Sequence, residues 1–248
     1  MVKKTETETR LNYPENSRSK TIGNFDVCWQ ISEKISHLTD LKSTLDEILA
    51  ILPNVTECRH LAIRIIDSSG NIPIYSQIGL EEKFLESEHW VTLKDCMCGY
   101  VANGKIDKKL PFFTEFGSFY TNSISLLNAD IKNHQRTIDD LNLRDVCQNC
   151  GYESVAIIPV KIRGRIIAEI YLSDERKDLF PIEKVRFFEK LSIQIGIAIH
   201  NSRLYSSLKE SQEKVIDLFD SASIGIIELD TKGTVLQINK KGSSLFGY

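Results

Sequence analysis

SVAIIPVKIRGRIIAEIYL, residues 154–172, decides the fold. Two runs rich in isoleucine, valine and alanine, 154–162 and 166–172, flank Arg163-Gly164-Arg165, whose glycine suits a tight turn. In the second run Ile166, Ala168, Ile170 and Leu172 share one face of a strand. The pair reads as a β-hairpin. Upstream, 61–66 and 72–78 form another such pair around Ser68-Ser69-Gly70-Asn71. Helical spacing surrounds both hairpins. From about Phe25, Val27, Ile31, Ile35, Leu38 and Leu41 recur three and four residues apart, as do Leu45, Ile48 and Leu52, until Pro53-Asn54 stops them. A short amphipathic helix is expected over 81–90, an irregular insertion over 92–150 with helical sequence at 125–146, and a long helix from Pro181 to about Leu218.

Within that last helix, residues 191–199 alternate apolar and small or polar residues with period two, which alone reads as a strand. Charged helix formers on both sides decide for helix. So does the heptad-like seam of Phe188, Leu191, Ile195, Ala198, Ser202 and Tyr205. Helix, hairpin, helix, insertion, hairpin, long helix describes an α+β fold, an antiparallel sheet covered by helices. The last 30 or so residues add two strand-like runs, 224–230 and 234–239, joined by Thr231-Lys232-Gly233. An isolated hairpin of this kind is marginal in water, so it reads as part of something larger.

Composition narrows the function. The chain has 248 residues, 42% hydrophobic and 26% charged, enough for a true core rather than a disordered chain. Its 31 basic and 34 acidic residues leave a net charge of −3, which excludes a generally basic nucleic-acid binder. No apolar run reaches the ~18 residues of a membrane helix, and MVKKTETETR lacks the apolar segment of a signal peptide. The expectation is a cytoplasmic protein with no membrane partner. The first 22 residues are polar and read as a flexible lead-in.

Cysteine usage is the sharpest chemical feature. Cys96-x-Cys98 and Cys147-x-x-Cys150 lie at the two ends of the insertion. Two thiolate pairs brought together by a fold complete a tetrahedral zinc site or hold an iron–sulfur cluster. The same thiols serve equally as a dithiol–disulfide switch, or pack as small hydrophobes. Cys28 and Cys58 read as core. His37, His60, His89, His134 and His200 are scattered, none in helical ligand spacing with another, which leaves a haem axial role as the lesser option. Phe112, Phe113, Phe116, Phe119 and Tyr120, with Trp90, are dense enough to wall an apolar pocket and equally suited to plain core. No P-loop, G-x-S-x-G or H-E-x-x-H occurs. Glu81-Glu82 and Asp139-Asp140 read as surface charge.

CMCGYVANGK at 96–105, LPFFTEFGSFYTNS at 110–123 and CGYESVAIIPVKIRGRIIAEIYLSDERKDLF at 150–180 resemble the cysteine-bearing GAF domains of microbial sensor kinases. The likeness covers about residues 24–205. FDSASIGIIELDTKGTVLQINKKGSSLFGY at 219–248 resembles the opening of a PAS domain. The resemblance implies a lead-in at 1–22, a sensory domain at 23–205, a helical connector at 206–220 and a truncated PAS-like fragment at 221–248. It does not extend to the residue sets of cyclic-nucleotide-binding or bilin-binding relatives. It also implies a non-catalytic input module of two-component type. A small ligand or redox state would be read in the GAF pocket and passed along the last helix to a downstream kinase or other output module. No Gly/Pro-rich linker interrupts that helix, and a continuous helix transmits displacement where a floppy linker would not. Its wide apolar stripe calls for a partner, which predicts a homodimer joined along Phe188, Leu191, Ile195, Ala198 and Tyr205. Two other readings stand: a dimeric scaffold with an inert zinc-stiffened loop, and a thiol enzyme of free methionine-sulfoxide reductase type.

Overall fold

The computed structural model describes residues 15–36, 40–106, 110–128 and 144–247, with side chains from Asp26 onward. Two compact units emerge, Met1–Ala198 and Ile199–Tyr248. In the first, helices α1 (Glu15–Ser36) and α2 (Leu41–Thr56) precede strands β1 (His60–Ile65) and β2 (Ile74–Ile78). Short elements follow: α3 (Glu82–Glu88), α4 (Cys96–Ala102), β3 (Phe119–Thr121), and α5 (Val146–Asn149). Strands β4 (Ser154–Ile162) and β5 (Arg165–Asp174) lead into α6 (Ile182–Ser221), which continues into the second unit.

The sheet is five-stranded, in the order β2-β1-β5-β4-β3, and every pairing is antiparallel. Its centre is the hairpin on which the sequence reading began, and β1 pairs with β5 across the other side. Strand alternation then sets the two faces. Val155 and Ile157 of β4 look toward α4, while Val160 and Ile162 meet Gly196 of α6. The first unit's core joins Leu45, Ile48, Leu49 and Leu52 of α2 with Val185, Phe188, Leu191 and Ile195 of α6, all buried.

Several expectations change. The flexible lead-in is helical from Glu15; residues 1–14 lie outside the described residues. The single helical stretch from Phe25 is two helices, because Asp40 caps the second by accepting from the Ser43 backbone N–H. Pro53 does not end α2, which runs to Thr56 and closes on left-handed Glu57. Pro53 falls in the last turn, so the helix continues only briefly beyond it. The insertion is less irregular than expected, since both cysteine pairs sit on or beside short helices. Residues 124–128 are helical, and the rest of the helix expected at 125–146 falls on 129–143, outside the described residues. The stretch 191–199 is helix, as its charged flanks require.

In the second unit, β6 (Ile227–Leu229) and β7 (Val235–Ile238) form an antiparallel hairpin followed by α7 (Lys240–Phe246). Asn239 organises it. Its buried side chain accepts from the Ile226 and Gly242 N–H groups and donates to the Phe219 and Ile224 carbonyls. One amide thus satisfies a helix cap and a strand end together. Leu229, Val235, Leu236 and Phe246 remain exposed. Among the described residues no helix is long and apolar enough to cross a membrane.

Candidate functional site

A small cavity of about 30 Å³ lies between the sheet and the insertion helices. Val155 and Ile157 of β4 and Phe119 of β3 form one wall. The other wall is α4 and α5, which bring Cys96, Cys98 and Cys147 to the same space. Asn128, buried, closes one side by donating to Asp145 Oδ1 (3.1 Å) and Gln148 Oε1 (2.9 Å). Local sequence explains these positions. Gly99 lets α4 approach the preceding loop: a Cβ there would lie 2.3 Å from the Thr92 carbonyl oxygen. Cys96 and Asp145 open their helices in the left-handed region, at φ 55° and 53°. For residues other than glycine such backbone is costly, and it gathers at ligand-binding places.

The thiols are protonated at neutral pH. Burial lifts Cys98 well above its ordinary value and raises Cys96 and Cys147. Cys147 Sγ lies 3.3 Å from the Tyr171 hydroxyl. A thiol rather than a thiolate is a weak nucleophile, so this arrangement is suited to holding an occupant rather than attacking one.

Beneath Cys98 the sheet carries buried charge. Arg64 of β1 and Glu169 of β5 are register partners, both 0% exposed, and Glu88 of α3 is 2% exposed. The β1–β2 register slips between Ile63 and Arg64, a bulge at the charged residue itself. Arg64 donates from Nη1 to the Ile72 carbonyl at 2.9 Å. Its Nε stands 3.8 Å from Glu169 and its Nη2 3.9 Å from Glu88, beyond hydrogen-bond length. Burial pushes the Glu169 carboxyl up to about 7, with Arg64 and the Cys98 thiol drawing it down and Glu88 pushing it up. Glu88 is raised by burial too, against the pull of Arg144, whose Nη1 is 3.3 Å away.

The expected site residues divide. Phe119 lines the cavity; Phe113 and Phe112 stand behind it, with ring centroids 5.9 and 6.0 Å from that of Phe119. Tyr120 is half-buried and off the wall. Trp90 is 63% exposed and lines nothing here, because the chain after α3 turns its ring outward against His89. Three of the four paired cysteines meet at the cavity, but Cys150 is not on its wall. Among the described residues no three His, Cys, Asp or Glu side chains converge as metal ligands, so as placed the quartet does not close a tetrahedral site. Cys58 is core, hydrogen-bonded toward the His60 and Ser173 carbonyls, while Cys28 is half-buried. His60 is held between the Gly79 carbonyl and Glu175 at 2.6 and 2.8 Å. Of the expected dimer residues, Phe188, Leu191, Ile195 and Ala198 are buried in their own unit and only Tyr205 is exposed. The small and apolar seam is the face α6 turns to its own sheet.

Sequence reasoning passed over Arg64, Glu88, Glu169 and Tyr171. The signal was present for two of them: Arg64 in HLAIRI and Glu169 in RIIAEIYLSD are charges inside otherwise apolar strands, on the face of Ala62 and Tyr171.

Comparison with known proteins agrees with this architecture. Residues 40–199 match the GAF domain profile. A stretch of 72 residues, 28% of the chain, is 28% identical to the probable 3',5'-cyclic phosphodiesterase pde-5 of Caenorhabditis elegans and spans only 10% of that protein. The GAF domain of a phosphoenolpyruvate-protein phosphotransferase from Coxiella burnetii superposes with a TM-score of 0.57 at 14% identity, over 75% of this chain and 98% of that one. A free methionine-R-sulfoxide reductase from Neisseria meningitidis does so at 0.55 and 12% identity, over 79% and 97%. At such identities the structural likeness speaks for the fold alone. With the matched profile covering well over half of its length, the chain belongs to the GAF domain family.

Proposed function

We propose that this chain is the sensory input part of a signal-transduction protein of two-component type, with no catalysis of its own. A small ligand or a thiol redox change at the Cys96–Cys98–Cys147 cavity is the signal, and α6 is the relay. The observation that carries this reading is the position of β4. Val155 and Ile157 wall the cavity on one face, and Val160 and Ile162 touch Gly196 of α6 on the other. A second connection runs through Glu189 of α6, which accepts from Thr114 and Ser118 at 2.5 and 2.8 Å, next to the cavity residue Phe119. An occupant that shifts the strand therefore biases the helix, provided the two arrangements differ in affinity for it.

We extend the reading to the remaining elements. The protonated, buried thiols weigh against a reductase, whose attacking sulfur needs thiolate character, and of the two signals they favour the ligand over the redox change. The Asn239-centred hairpin supports 221–248 as the opening of a PAS-like domain, with 206–220 as connector. A second copy of the chain covers the exposed face of α6. Asn201, Leu204, Leu208, Ser211, Val215 and Leu218 are all exposed and follow the alternating three- and four-residue spacing of a coiled coil. A polar Asn at such a position fixes register between parallel helices. The output module is a kinase or other effector.

Hydrogen exchange along 182–198 tests the relay. It is read on the protein with hydrogen peroxide, with zinc ion, and with Val155→Met filling the cavity wall. Changed protection with any of the three supports the relay; unchanged protection with all three overturns it.

A further inference from the structure

We infer that Arg64, Glu88 and Glu169 recognise a small zwitterion, a molecule bearing an ammonium and a carboxylate a few bonds apart. The inference rests on the sensory reading of the cavity and names the class of its ligand.

The argument begins with unfilled hydrogen-bonding capacity. Arg64 Nε and Nη2, Glu88 Oε1 and both Glu169 oxygens are buried without a hydrogen-bond partner. Native interiors rarely tolerate such a cluster unless water or a ligand completes it. The orphaned donors and acceptors are complementary in kind. Nε and Nη2 form the edge of a guanidinium that takes a carboxylate with two parallel bonds. Here that edge is split between two carboxylates and bonded to neither, with gaps of 3.8 and 3.9 Å. Glu169 meanwhile meets no donor stronger than the Cys98 thiol beside it.

Charge selects the ligand further. Arg64 and Arg144 balance Glu88 and Glu169. A simple anion meets the Glu169 charge as it nears Arg64, and a simple cation meets Arg64 as it nears Glu169. Only a molecule with both signs gains at both ends, at a depth where an unpaired charge is costly. Access runs through the thiols. Cys98 lines the cavity and lies against Glu169, so a turn of its side chain opens the cavity onto the carboxylate. Cys147 braces Tyr171, whose ring centroid is 6.0 Å from the Arg64 guanidinium. A cavity of about 30 Å³ admits only the smallest members of the class.

Calorimetric titration of the full chain with glycine and with L-alanine provides the test, acetate and methylammonium serving as single-charge controls. The groups facing Glu169 are Arg64 from β1, Glu88 from α3, Cys98 from α4 and Tyr171 on its own strand, with Arg144 acting through Glu88. Glu169 must be ionised to receive an ammonium, so affinity for the zwitterion should fall about tenfold from pH 8 to pH 6. Glu169→Gln should weaken binding at least about tenfold and flatten that profile. If the variant does not fold, wild-type protein still decides, because its own affinity for glycine should fall from pH 8 to pH 6, and a flat profile overturns the role of Glu169. Binding of acetate or methylammonium as tight as glycine overturns the inference, as does a silent titration with either zwitterion, which would mean that solvent alone fills the site. A silent titration beside a peroxide- or Val155→Met-induced change in 182–198 rejects this ligand class and leaves the sensory reading standing. Glycine binding without change in 182–198 rejects the relay and keeps the ligand.

Discussion

A carboxylic acid with no exposed surface, next to an arginine that does not reach it, makes Glu169 a residue whose protonation the fold should feel. Its native value of about 7 exceeds the ordinary 4.5, so the native state binds the proton more readily than the unfolded chain. That contribution to stability is fully present below about pH 4.5 and is lost as pH rises through 7. Asp46, Glu153, Asp174 and Glu175 act in the opposite sense: each is held low by hydrogen bonds or a nearby cation, and each loses its contribution as pH falls through its native value. Urea unfolding of wild type should therefore show stability declining between pH 5 and pH 8, and Glu169→Gln should remove most of the decline. The variant should gain about 1 to 3 kcal/mol over wild type at pH 8 and nothing at pH 5; parallel profiles would refute the assignment. The thiols give a second prediction at this scale. Burial raises Cys58 to about 12 and lifts Cys98 well above its ordinary value, while Cys150 is only part-buried. Iodoacetamide at pH 8, followed by mass, should label Cys150 first and Cys58 and Cys98 only on unfolding. Early labelling of Cys98 would show that α4 opens in the native state.

At the level of elements, the α4 segment CMCGYVA is shaped by a close contact. Gly99→Ala places a methyl against backbone, the Thr92 carbonyl at 2.3 Å, and backbone cannot move aside as a side chain can. A loss of about 1 to 3 kcal/mol is expected, with α4 amides exchanging faster, measured by thermal melting and hydrogen exchange. An unchanged melting temperature would mean that the contact is not maintained in solution. What was legible here follows from range. Both hairpins and the long helix are governed by local periodicity and turn chemistry, so 154–162 is a strand to the residue and 191–199 is helix once its flanks are weighed. The cavity is not local. It needs α4 and α5, separated by 43 residues between Ala102 and Val146, to meet over β4. Cysteine spacing pointed to the insertion but gave no distance between its ends. Arg64 and Glu169 are single charges in apolar strands, and only the β1–β5 register makes them neighbours.

At the scale of the whole molecule, the proposed dimer depends on which face of α6 the chain's own core leaves uncovered. The seam expected from the sequence, through Phe188, Leu191 and Ile195, is consumed by the chain's own core, since the α6 side that contacts β4 must be apolar and closely packed. What remains is the stripe from Asn201 to Leu218, with Leu204, Leu208, Val215 and Leu218 all more than half exposed. A monomer gains nothing by showing leucines at heptad spacing to water, whereas two parallel copies bury them knob into hole. Asn201 faces its own counterpart only in that parallel register, which sets both copies of α6 in the same direction, as a symmetric relay requires. Leu204→Asp with Leu208→Asp places four carboxylates in one dimer seam, a cost no short coiled coil of about three heptads absorbs. Sedimentation at about 50 µM, well above a micromolar dissociation constant, should show a dimer for wild type and a monomer for the double variant. Because both positions lie outside the unit ending at Ala198, the melting of that unit should be unchanged. A monomeric wild type, or a double variant that still dimerises, would remove the second copy from this face.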